Sequence, residues 1–202
     1  MMFACHKKLL VLGILMLTAS ACASSPTTRY YVLKPTSAPS PAGGNAGLAV
    51  GVGPAQIPKR LDQSNIMTVG QGNEVTLAQS HEWAEPLDES IIEVLGENLA
   101  NTLGTSRIYR HPWNYDVEMD HRIPLTVIRL GGTLGVEAYL DVRWSMLNRE
   151  GIETVRRTSS FRRPLPDATH VALAAAISDM LGELSREIAG FIQGTGAPRP
   201  PV

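Results

Sequence analysis

The chain has 202 residues, with 18 lysines and arginines against 19 aspartates and glutamates and a formal net charge of −1. Neither the total nor any local Lys/Arg run supplies the basic footprint that a phosphate backbone requires, which argues against nucleic-acid binding. The length suffices for one domain with a real core, and two would be crowded.

From the start of the chain, Lys7 and Lys8 precede an apolar run from Leu9 to Thr18, and Ala19-Ser20-Ala21 supplies the small residues of a signal cleavage site. The run reaches at most to Ala23, short of the roughly 20 residues a helix needs to span a bilayer. Leu17 to Cys22 reads Leu-Thr-Ala-Ser-Ala-Cys and resembles a lipobox, with Ala19 where leucine is usual. That resemblance implies cleavage between Ala21 and Cys22, a diacylglycerol on the Cys22 thiol and a further acyl chain such as palmitate on its amine. An ordinary cleaved signal is the alternative. At about 0.8 kcal/mol per buried methylene, more than one acyl chain anchors stably where a single chain binds reversibly. The other cysteine, Cys5, lies in the removed segment. Cys22 is then the lone thiol of the mature chain, and a thioether to lipid accounts for an odd cysteine in an oxidising compartment. Ala23 after the cysteine, in place of aspartate, is the pattern of lipoproteins sorted to the outer membrane. Loss of residues 1–21 leaves 16 basic against 19 acidic residues, a net charge of −3.

After a short polar tether, Arg29-Tyr30-Tyr31-Val32-Leu33 reads as a first strand. Lys34 to Gly47, rich in proline, glycine, serine and alanine, buries too little apolar surface to order itself and reads as a flexible linker. Leu48 to Val52 reads as a strand ending at the turn-rich Gly53-Pro54, and Ile66–Val69 and Val75–Ala78 as a hairpin across Gly70-Gln71-Gly72-Asn73. From Pro86, read as the first helical position, Leu87, Ile91, Leu95, Leu99 and Leu103 form one apolar face of a helix ending near Gly104. Three antiparallel strands follow: Ile123–Leu130, then Leu134–Leu147 across Gly131-Gly132, then Ile152–Phe161 across Asn148 to Gly151. The middle one alternates apolar residues from Leu134 to Met146 with polar ones, the pattern of a sheet wet on one face. Asp167 is placed to cap a second helix, whose apolar stripe runs from Leu173 to Ile192 and which Gly194 closes. A disordered tail is expected over 195–202.

These elements predict an α+β fold, a two-layer arrangement of a mostly antiparallel or mixed sheet with two helices packed on one face. The predicted organisation is a signal peptide over 1–21, a lipidated N-terminus with first strand and linker over 22–47, and one domain over 48–194, whose sheet the strand at 29–33 joins.

Residues for chemistry are sparse. Gly51-Val52-Gly53 is followed by proline and Gly131 to Gly135 joins two strands, so both read as turns and not phosphate loops. His81, His111, His121 and His170 match no zinc spacing. Asp116 to His121 superficially resembles a calcium loop, yet His121 stands where glycine is needed and Val127 where the final acid belongs. There is no GxSxG elbow, and Cys22 is committed to lipid. Acids such as Asp88 and Glu89 suit the first turn of a helix, near the positive end of its dipole. Arg156, Arg157, Arg162 and Arg163 read as a solvated strand face. The expectation is no enzyme, no metal and no cofactor.

Tyr30-Tyr31-Val32-Leu33 soon after the lipid cysteine, Val52-Gly53-Pro54 with Ile57-Pro58, and Trp83-Ala84-Glu85-Pro86-Leu87 opening a helix resemble the ABC-transport auxiliary lipoproteins, the family of paraquat-inducible protein C. Arg143-Trp144-Ser145-Met146-Leu147 and the last helix fit as well, so the likeness spans the mature chain. It implies a non-catalytic outer-membrane lipoprotein that partners a periplasmic protein with MCE domains and, through it, an inner-membrane permease and ATPase. It also implies a ring of copies and a role in lipid movement and envelope integrity. A stand-alone structural lipoprotein and an envelope hydrolase are the alternatives. Cys22 is the functional residue; Tyr30, Tyr31, Trp83, Pro86, Leu87 and Trp144 read as structural, with the two tyrosines packing in a strand.

Overall fold

The computed structural model describes residues 27–38, 46–70, 72, 74–113 and 117–194. The signal segment with Ala21 and Cys22, and the tail after Gly194, lie outside them. The strands are β1 (Arg29–Tyr31), β2 (Val50–Gln56), β3 (Asn65–Val69), β4 (Val75–Trp83), β5 (Ile108–Arg110), β6 (His121–Thr133), β7 (Glu137–Leu147) and β8 (Glu153–Pro164). Among the described residues the helices are α1 (Leu87–Leu103) and α2 (His170–Ile192), with a 3-10 turn at Lys59–Leu61.

The fold is α+β with two helices, as the patterning predicts, but the strands divide into two mixed sheets. One has the order β1-β4-β3 and the other β5-β2-β6-β7-β8. β6, β7 and β8 form the expected antiparallel meander, whereas β1 runs parallel to β4, and β2 lies parallel to both β5 and β6. β5 has no strand-like reading in the sequence, because three residues are too few to show a period. The core lies between the larger sheet and the helices. Val50, Val52, Ile123, Leu140, Val142 and Trp144 from the strands meet Ile91, Leu95, Leu99, Leu173, Ile177 and Leu184 from the helices, all buried in one cluster.

Several boundaries move, each for a local reason. β2 continues through Gly53-Pro54 to Gln56, with an irregularity in its pairing to β6 between Val52 and Ala55 that accommodates the proline. Gly131 and Gly132 lie inside β6, and the turn falls at 134–136. A Cβ on Gly132 would sit 2.5 Å from the Glu137 carbonyl oxygen and 2.9 Å from Leu173 Cδ1, so glycine there serves close packing of strand and helix. Leu134, in the turn, still packs partly buried against the core, whereas Val136 is exposed. Pro86 is the N-cap of α1, and Leu87 its first residue. Gly104 ends that helix in the left-handed region at φ 67°, a conformation glycine adopts without steric cost. α2 is capped by Thr169, whose Oγ1 accepts from the Ala172 amide at 3.1 Å. Asp167 supports that cap, its Oδ1 accepting from the Thr169 amide at 3.0 Å.

The linker reading fails for its first residues. Lys34 to Ser37 forms a strap across both helices. The Lys34 amide donates to Ser178 Oγ of α2, and the Thr36 and Ser37 amides donate to Asn98 Oδ1 of α1. A Cβ on Gly182 of α2 would collide with Thr36 Oγ1. Composition reports the absence of apolar side chains, and this segment is held through its backbone instead.

Candidate functional site

Thr27 and Thr28 lead into β1, the first strand of the domain. β1 pairs with the last residues of β4, Arg29 opposite His81, Tyr30 opposite Glu82 and Tyr31 opposite Trp83. Tyr31 is half-buried; its hydroxyl lies 2.6 Å from His81 Nδ1, and its ring lies near His170. His81 stacks on His170, the first residue of α2, with ring centroids 3.9 Å apart. Burial, joined by the charge of His81, holds the His170 imidazole below its ordinary value. Three aromatic rings therefore lock the end of β4 to β1 and to the start of α2. Tyr30 departs from the strand-packing reading: it is 66% exposed. It opens onto a groove of about 520 Å³ between β1, the strap and α2, also lined by Val32, Pro35, Val171, Ala174 and Ala175.

The other motif residues are structural in their surroundings. Trp83 is buried at the end of β4, and its amide donates to the Ser64 carbonyl at 2.8 Å. Leu87 is buried at the start of α1, and the Pro86 carbonyl accepts from the Ser90 amide at 3.0 Å. Glu85 accepts from Ser90 Oγ, and Asp88 and Glu89 occupy the first turn. The Trp-Ala-Glu-Pro-Leu element thus turns the chain from the smaller sheet into the first helix. Trp144 is 1% exposed; its Nε1 donates to Ser159 Oγ at 3.1 Å, and its ring meets Phe191 of α2 edge-on.

The four arginines of β8 divide between two faces. Arg157 and Arg163 turn toward α2, where Arg157 pairs with Glu187 at 3.5 Å and packs over Phe191, and Arg163 pairs with Glu183. Arg156 stays solvated and pairs with Glu153. Arg162 grips Asp141 with two hydrogen bonds of 2.7 and 3.1 Å, while Arg129 approaches the same carboxylate at 3.3 Å and stacks over Tyr139. Burial opposes the charge of Asp141, yet the hydrogen bonds from Arg162 and Ser160 and the neighbouring guanidinium charges outweigh it and hold the carboxyl below the ordinary range. Each of these arginines has a carboxylate partner, with Arg129 and Arg162 sharing Asp141, and the result is a braced sheet face.

At the opposite end of the domain, Asp120 accepts from the Ala49 amide at 2.9 Å and pairs with Arg149. The Ala49 hydrogen bond and then Arg149 hold its carboxyl low. Its carboxylate is thereby committed to the loop connection preceding β2. Among the described residues, no group of three or more His, Cys, Asp or Glu side chains converges as a metal site. No helix among them is long and apolar enough to cross a membrane.

No curated protein matches the chain. Among solved structures, it is similar to an uncharacterized protein with 16% identity and a TM-score of 0.69, covering 83% of this chain and 99% of that one. A Xanthomonas campestris protein of family DUF330 is similar with 18% identity and a TM-score of 0.68, covering 84% and 97%. At such identities the likeness shows the fold. The family profile of the ABC-type transport auxiliary lipoprotein component matches residues 31–189, more than half of the chain, from Tyr31 through nearly all of α2. The chain belongs to the ABC-type transport auxiliary lipoprotein family.

Proposed function

We propose that this protein is a non-enzymatic outer-membrane lipoprotein subunit of an MCE-type ABC intermembrane lipid transport system. In this reading, cleavage after Ala21 frees the Cys22 amine, and acyl chains on Cys22 hold the domain at the periplasmic face of the membrane. Copies of the domain assemble as a ring, dock the periplasmic MCE-domain protein and so link the outer membrane to the inner-membrane permease and ATPase. Envelope integrity depends on that link.

The observation that carries the reading is the juxtaposition of a lipobox-like sequence ending at Cys22 with a transport auxiliary lipoprotein domain beginning at residue 31. The strap supports a mechanical role, because Lys34 to Ser37 ties the anchored end of the chain to both helices and passes any pull on the lipid into the core. Complementation tests it. A strain lacking the gene should become sensitive to detergent stress; the wild-type gene should restore resistance and Cys22→Ser should not. Full rescue by Cys22→Ser at native expression would overturn the requirement for the anchor.

A further inference from the structure

Exposed large apolar side chains are unevenly distributed over the described surface. Seven are exposed, and five of them, Tyr30, Val75, Leu77, Val136 and Val171, belong to elements that meet at one end of the domain. Val75 and Leu77 lie on β4 next to its hairpin with β3. The hairpin lies against the end of β6, where a Cβ on Gly131 would come within 3.6 Å of the Met67 carbonyl oxygen. Val136 forms the turn that follows β6, pinned to the approach of α2 by the Gly135 amide donating to the Asp167 carbonyl. Val171 stands in the first turn of α2, beside His170, which stacks on β4. Of the other two, Val32 lines the groove beside Tyr30, and Ile152 lies in the β7–β8 connection at the far end.

β1 is parallel to β4 with Arg29 opposite His81, so the chain preceding Arg29 departs in the direction of Val75. β4 covers the stretch from His81 back to Val75 in roughly 20 Å. The seven residue steps from Cys22 to Arg29 reach at most roughly 25 Å, enough to bring Cys22 level with Val75 at the base of the β3–β4 loop.

We propose that this end of the domain, with Val75 and Leu77 of the β3–β4 hairpin, Val136 and Val171, docks on the lipid bilayer and sinks its side chains into the interfacial layer, with Tyr30 at its margin. Tyrosine suits that position through its apolar ring and polar tip. The proposal rests on anchoring at Cys22 and adds an orientation: the far end, with Ile152 and the Asp120–Arg149 pair, faces away from the membrane.

The test couples the Cys22 thiol of the mature chain, residues 22–202, to a maleimide phospholipid in phosphatidylethanolamine–phosphatidylglycerol vesicles and reads amide hydrogen exchange. Expected is severalfold slower exchange over 74–78, 134–137 and 170–172 relative to uncoupled protein, with 148–153 unchanged. Val75→Ser with Leu77→Ser, both at exposed positions, should abolish the slowing while leaving the exchange of α1 as it was. Equal exchange at both ends with and without vesicles overturns the proposal. The same slowing in concentrated protein without vesicles also overturns it, since the surface would then meet a second copy. Chemical coupling supplies the tether whether or not cells acylate Cys22, so a failure here is distinct from a failure of lipid labelling in cells.

Discussion

Replacing Asn98 with alanine tests whether the strap is a structural part of the domain. Asn98 is fully buried in α1, and its Oδ1 accepts from the Thr36 and Ser37 amides at 2.9 and 2.8 Å. Alanine removes both bonds at once. If the strap stayed in place, two amides would be left without partners, each at about 1–3 kcal/mol. The strap can instead lift and hydrate those amides, at the expense of the Asn101 bond to the Ser37 carbonyl. The loss then approaches the net value of two hydrogen bonds, about 2 kcal/mol. For a domain of this size that lowers the thermal midpoint by about 4–8 °C. Urea denaturation gives the free energy, and hydrogen exchange should show Thr36 and Ser37 losing protection while the centre of β7 keeps its own. A loss under about 0.5 kcal/mol, with both amides still protected, would refute the strap as described.

Three further outcomes follow from the same structure. Trp144→Ala should destabilise the domain by about 3–5 kcal/mol, since Trp144 fills the space between β7 and Phe191 and donates to Ser159; a change under about 1 kcal/mol in urea denaturation would contradict that packing. Because burial and the charge of His81 lower the His170 value, the unfolded chain takes up the proton first as pH falls. The stability carried by neutral His170 is thus full above the ordinary histidine value of 6.5 and is lost as pH falls through it toward the folded value. The difference in thermal midpoint between wild type and His170→Gln should shrink on acidification from about pH 7.5 to about pH 5.5, a window set by the ordinary histidine value; a constant difference would sink that assignment. Cys22→Ser should lose metabolic labelling by palmitate and leave the membrane pellet, and a variant that still labels would place the acyl chains elsewhere.

Where side-chain periodicity carried the signal, the sequence was readable. The apolar faces of α1 and α2 and the alternation from Ala138 to Met146 in β7 are visible because burial acts on side chains with fixed periods. β5 and the parallel pairing of β1 with β4 are not visible, since three-residue strands have no period and partner choice is a tertiary matter. The strap is invisible in the sequence because its anchors are backbone amides meeting Asn98 and Ser178, interactions that leave no mark on composition. The Tyr31–His81–His170 cluster joins residues far apart in the chain, a juxtaposition that histidine spacing does not show. The arginines of β8 looked alike in the sequence; strand alternation sends Arg157 and Arg163 to α2 and Arg156 to solvent.

Crosslinking in intact cells tests the central claim most directly. With a photoreactive residue at Ile152, on the end assigned away from the membrane, and expression held at native levels, irradiation should capture an MCE-domain protein. The adduct should disappear in Cys22→Ser. Repeated failure to capture any MCE-domain protein, from this position and from others around the same end, while the lipidated chain remains abundant in the outer-membrane fraction, would contradict the account.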